Sequence, residues 1–220
     1  MPSLSARTLK ALVYLLLAAC MFCGCRSTYY SVWESLGKEK RHLLRDEVEQ
    51  AREDQSDASE EFKDALTRVK ALTAFEGGEL ENVYLQLKDD YEDCNRRAEV
   101  IDNRIANVAQ IAADLFAEWE AEIGQMTNAS FRSRSRQSLA RTRERYNRLQ
   151  RAMMQARSRM DPVLSRLNDY VLYLKHNLNA QAVGALGAEM GRIEADVDIL
   201  IRDIERSNEA ADVFLKTLED

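Results

Sequence analysis

The residues of this 220-residue chain with chemistry to offer are four cysteines, two histidines, a run of carboxylates and a block of arginines. His42 and His176 lie far apart, and no His-x-x-x-His pair sets two imidazoles on one helix face. Asp89, Asp90, Glu92 and Asp93 fall where a solvated helix face needs charge, not where two carboxylates converge for acid–base work. Gly77-Gly78 has neither the preceding strand nor the following Lys-Ser/Thr of a phosphate loop. The residues therefore imply no catalytic set, no metal site and no cofactor.

The cysteines are a different matter, because three of the four crowd one short stretch. Residues 1–25 hold no acid, and Arg7 and Lys10 precede the apolar run ALVYLLLAACMF from Ala11 to Phe22. About 12 apolar residues suit a secretory core better than a bilayer span of roughly 20. A Cys directly after such a run is the layout of a bacterial lipoprotein signal, in which that Cys becomes the acylated first residue. Leu17-Ala18-Ala19 before Cys20 is the better tripeptide. However, cutting there leaves Cys23 and Cys25 as thiols in an oxidising compartment. Cutting before Cys25 leaves only Cys94 beside the acylated residue. The reading is a signal peptide over 1–24 and lipidation at Cys25, with Cys20 as second choice. Neither Arg26 nor Met21 is the Asp that retains lipoproteins in the inner membrane, which points to the periplasmic face of the outer membrane.

Long helices must position everything else. Only 2 Pro and 8 Gly stand against 31% charged and 45% hydrophobic residues, a composition that argues against sandwich and Rossmann folds. Apolar residues recur at alternating spacings of three and four along four ladders. These run from Leu44 to Leu72, from Leu80 to Trp119, from Leu139 to Leu174 and from Val183 to Leu218. Such ladders are coiled-coil seams. Gly77-Gly78 suits a helix stop; Asn128 or Ser130 suits the cap of the third helix, and Asn179 that of the fourth. Met160, Val163 and Leu167 hold their register across Pro162, which predicts a kink and not a break. The expected fold is all-α: a long antiparallel bundle in one domain over 25–220, with helices at about 30–75, 79–127, 130–178 and 180–219. Cys94 falls on a seam as a small buried hydrophobe. Gly184, Gly187 and Gly191 make a small-residue face, expected to allow close packing or to be left thin for a partner helix.

The arginine block then acquires a place. Residues 128–159 hold ten Arg and one acid, Glu144, a net of +9 in a chain whose formal net charge is −6. Pairing with acids of neighbouring helices would absorb this charge. Up-down order also sets Arg132, Arg134 and Arg136 at the end that carries Tyr29, Tyr30 and Trp33. Those residue types suit a headgroup interface. Aromatics are too sparse in the block to stack on bases, so nucleic acid is not the expected partner. The opposite end carries Lys175, His176, Asn177 and Asn179, expected either to cap helices or to meet a protein partner.

Several stretches resemble a family of bacterial lipoproteins known as domain of unknown function 2959. They are Tyr29-Tyr30-Ser31, Phe75-Glu76-Gly77-Gly78-Glu79-Leu80, Leu115-Phe116-Ala117-Glu118-Trp119-Glu120 and the long run from Val171 to Ala180. The resemblance spans nearly all of 24–218, and its Gly-Cys pair before Tyr-Tyr matches Gly24-Cys25. It implies a helical envelope lipoprotein with no established activity. The functional expectation is a non-enzymatic, membrane-anchored spacer or adaptor. The alternative is a binder of anionic lipid or another envelope polyanion through the block from Arg132 to Arg159.

Overall fold

A seam of apolar side chains every three or four residues can be hidden only by another helix, and four such seams can hide one another. In the computed structural model, which describes residues 40–73 and 80–219, they do so. The helices are α1 (Lys40–Thr73), α2 (Leu80–Gln125), α3 (Ala129–His176) and α4 (Ala180–Glu219), and no strand occurs among the described residues. The chain divides into two compact units, 1–43 and 44–220, and the bundle is the second. The start expected near residue 30 and the stop expected at Gly77-Gly78 both lie outside the described residues.

Cross-helix pairs give the topology. Asp54 meets Arg104 at 2.8 Å and Asp57 meets Arg97 at 3.2 Å, so α2 descends beside α1. Asp102–Arg157 and Glu120–Arg143, both at 2.8 Å, set α3 antiparallel to α2. Arg166–Asp196 at 2.6 Å does the same for α3 and α4. Arg52–Asp212 and Lys70–Glu194, both at 2.5 Å, return α4 to α1. The ring of neighbours closes, which makes an up-down-up-down bundle four helices across.

Every ladder residue of α1 from Leu44 to Leu72 is buried, and so is every one of α3 from Leu139 to Leu174. On α4 all but Met190 are buried. The α2 ladder is less complete: Leu87, Cys94, Ala98, Ile101, Val108 and Ala112 are buried, whereas Ile105 is only partly covered. Phe62, Met160 and Leu167 are among the largest fully enclosed side chains. Phe116, Tyr146 and Phe214 join α2, α3 and α4 in a chain of edge-to-face rings, with centroids 5.5 and 5.9 Å apart.

The glycines of α4 depart from the close-packing expectation. A Cβ added at Gly184 or Gly191 would meet nothing within 4 Å, so no neighbouring helix needs either glycine there. Helix α3, by contrast, runs through Pro162 as its register implied. The ring points to solvent, while Met160, Val163 and Leu164 keep the core side filled. Proline lacks the N–H that would bond the Ser158 carbonyl and crowds that carbonyl. Pro162→Ala should therefore stabilise the fold by up to about 3 kcal/mol. The gain would appear as a higher urea midpoint at unchanged slope.

Candidate functional site

The turn between α2 and α3 brings the basic residues to one end of the bundle. Asn128, in extended conformation, caps α3: its Oδ1 accepts from the backbone N–H groups of Ser130 at 2.9 Å and Phe131 at 3.1 Å. Asn128, not Ser130, is thus the capping residue. Arg132, Arg134 and Arg136 follow in the first two turns; Arg132 is half-buried and the other two are exposed. Antiparallel order places them at the end of the bundle where α4 finishes. The first turn of α3 holds no acid.

The arginine block divides in two. Arg143 pairs with Glu120 at 2.8 Å and lies over the Phe116 ring. Arg148 reaches Glu144 at 3.5 Å. Arg157 bridges Asp102 and Asp161 at 2.8 and 2.6 Å, and Arg159 meets Asp203 at 3.2 Å. Arg132, Arg134, Arg136, Arg141 and Arg151 make no ion pair with any described residue, and Arg145 donates only to the Thr217 hydroxyl at 2.5 Å. Neutralisation by acids holds for Arg148, Arg157 and Arg159 in the C-terminal half of the block and for Arg143 alone in the N-terminal half. Phe131, 62% exposed beside these arginines, is a surface residue that the ladder pattern does not single out. Cys25, Cys20, Tyr29, Tyr30 and Trp33 lie outside the described residues.

The far end resolves into caps and surface. Asn177 closes α3, donating its N–H to the Leu174 carbonyl at 3.1 Å and its Nδ2 to the Tyr173 carbonyl at 2.9 Å. Asn179 opens α4, its Oδ1 accepting from the Ala182 N–H at 3.0 Å. Both asparagines thus hold helix ends, as their type and position suggested. Lys175 and His176 are exposed, and with them Leu172, Tyr173 and Leu178. The sequence reading of this end rested on its polar members and left out the exposed Leu172 and Tyr173.

Between the ends, an open groove lies where Ala109 and Ala113 of α2 leave room beside Phe116, Arg143, Tyr146, Asn147 and Gln150. Burial pushes the Tyr146 phenol up to about 12, so it stays neutral. Among the described residues, no group of three or more His, Cys, Asp or Glu could hold a metal ion, and no helix is long and apolar enough to cross a membrane.

Residues 29–218 match the model of a family described as protein of unknown function, DUF2959. The chain belongs to that family. No curated protein matches it. The match begins at Tyr29 and ends at Leu218, so it takes in all four seams and both candidate ends.

Cys94 sits fully enclosed on the α2 seam as a free thiol. Desolvation first, and then the nearby carboxylates of Glu61 and Asp90, push its pKa well above the ordinary thiol range. A thiol that stays protonated and enclosed is inert. Alkylation of Cys94 by iodoacetamide at pH 8, mapped by mass spectrometry, should be negligible in the native protein. It should rise in parallel with unfolding in urea.

Proposed function

We propose that this protein is a non-enzymatic envelope lipoprotein, held through Cys25 on the periplasmic face of the outer membrane, whose bundle serves as a spacer or adaptor. The observation that carries the reading is the bundle itself. Helices α2 and α3 have 46 and 48 residues, about 70 Å each at 1.5 Å per residue. Their seams, of coiled-coil type in sequence, fill the interior with aliphatic side chains. A lipid at the N-terminus would leave the Lys175–His176 end as the tip farthest from the membrane. There Leu172, Tyr173 and Leu178 offer apolar surface to a protein partner. Cys25→Ser should abolish fatty-acid labelling and membrane fractionation, and Cys20→Ser should leave both intact. Labelling that persists in Cys25→Ser and vanishes in Cys20→Ser would move the anchor to Cys20.

A second reading, binding of anionic lipid or another envelope polyanion, is favoured by one specific observation. Arg132, Arg134 and Arg136 stand without acid partners among the described residues in the first two turns of α3, and for Arg132, at the end of the first turn, the backbone dipoles disfavour positive charge by about 0.3–1 kcal/mol. An anion at this end would meet both the guanidinium groups and the positive pole of α3. Changing the three arginines to glutamine should weaken binding of the full-length protein to phosphatidylglycerol vesicles severalfold. The difference should shrink as salt screens the exposed charges. Equal binding by both proteins at low salt would rule this reading out.

A further inference from the structure

Five buried side-chain atoms among the described residues have no hydrogen-bond partner: Gln55 Nε2, Arg157 Nε, Tyr170 OH, Ser207 Oγ and Asn208 Oδ1. Two of them stand on seams. Gln55 is 1% exposed in the α1 ladder and Ser207 is fully enclosed in the α4 ladder. The pairs Arg52–Asp212 and Lys70–Glu194 fix the antiparallel register of α1 and α4. In that register Gln55 lies level with the stretch from Ser207 to Ala211, so the two polar breaks in otherwise apolar seams face one level of the core. An amide donor, a hydroxyl and the neighbouring Asn208 carbonyl oxygen at one height can share a buried water.

The rest of α1 does little to mark that height, because the helix nearly repeats itself every seven residues. Ala51, Ala58 and Ala65 occupy one seam column. Glu47, Asp54 and Glu61 follow one another on the flank that meets Arg104, and Asp57 is followed by Asp64. Arg45 precedes Arg52, and Lys63 precedes Lys70, at the same interval. A slide of one heptad, about 10 Å, would replace small by small and acid by acid along most of the contact. The column that changes character is Val48, Gln55, Phe62 and Val69. A slide would carry the Gln55 amide between Leu200 and Ile204, or between Phe214 and Leu218, all of them buried and apolar.

We propose that Gln55 and Ser207 form a buried polar layer, extended by Asn208, that pins α1 to a single register against α4. A polar seam residue of this kind specifies pairing at the expense of stability. The price is accepted because a spacer needs one fixed length.

The test uses the full-length chain carrying Arg52→p-benzoylphenylalanine, irradiated and mapped by mass spectrometry. With Gln55 and Ser207 in place, α4 crosslinks should cluster around Asp212. In Gln55→Leu, further crosslinks should appear about seven residues away, around Glu205 and Glu219, while the melting midpoint holds or rises by about 2–4 °C. Ser207→Ala, which removes the polar group from the other helix, should broaden the pattern in the same way, and Gln55→Asn should keep it narrow. Crosslinks confined to the neighbourhood of Asp212 in both Gln55→Leu and Ser207→Ala would overturn the proposal, whatever the midpoint does.

Discussion

The constraint on which the rest depends is that no helix of this bundle can bury its own seam. Helix α1 has charged residues around most of its circumference and one stripe, Leu44 to Leu72, that water must not reach. Three of the nine positions in that stripe are alanine, which bury little area each. The stripe therefore gains its stability only where larger side chains from α2, α3 and α4 close over it. Phe62, Met160 and Leu167 belong to one continuous apolar cluster that all four helices share. Loss of one helix would expose the seams of the other three, and folding of 44–220 should accordingly be cooperative.

The ion pairs around this core have a smaller energetic role than their number suggests. Arg52–Asp212 and Lys70–Glu194 are two-fifths or more exposed on each side, and exposed pairs contribute roughly 0–1 kcal/mol. Arg104 is the exception in degree. It holds both Glu47 and Asp54 with all three side chains at a quarter exposure or less. Burial disfavours its charge, yet hydrogen bonds to the two carboxylates outweigh that and raise its pKa. Such pairs choose which helix lies beside which. They choose height poorly, because the acids of α1 recur at intervals of seven. Depth of packing and choice of neighbour thus come from different residues, and height rests on the few seam positions that break the pattern.

This division explains what could be read from the sequence. Helix ends, seams and the antiparallel order follow from period, capping residues and short connections, all local in sequence. Asn128 and Asn179 at their caps and Cys94 in its seam are of this kind. The glycines of α4 were open to two readings because spacing alone does not tell an inward small-residue face from an outward one. Gly184 and Gly191 face outward. The arginine block likewise could not be divided in advance. Whether an arginine finds an acid depends on which side of α3 it leaves and on what the adjacent helix carries at that height. Arg143 and Arg157 meet acids of α2, whereas Arg141 and Arg151 meet none among the described residues. Exposed apolar residues such as Phe131 and Tyr173 belong to no period at all.

The two ends of the bundle differ in how much their local chemistry is consumed by the fold. At the Asn177–Asn179 turn, the polar side chains are spent on the last carbonyls of α3 and the first N–H groups of α4. What remains exposed there is mainly apolar, with Lys175 and His176 beside it. At the opposite turn Asn128 caps α3, and Arg132, Arg134 and Arg136 make no ion pair among the described residues. Glutamate in the first turn of α3 would suit the helix dipole and offer those arginines partners, yet Ser130, Phe131 and Arg132 stand there instead. Folding alone gives no reason for that choice. On the proposed anion-binding reading, a surface that concentrates positive charge around an exposed aromatic ring would suit a partner that is negative and has an apolar layer beneath. An anionic headgroup region has both properties, whereas a soluble polyanion has only the first.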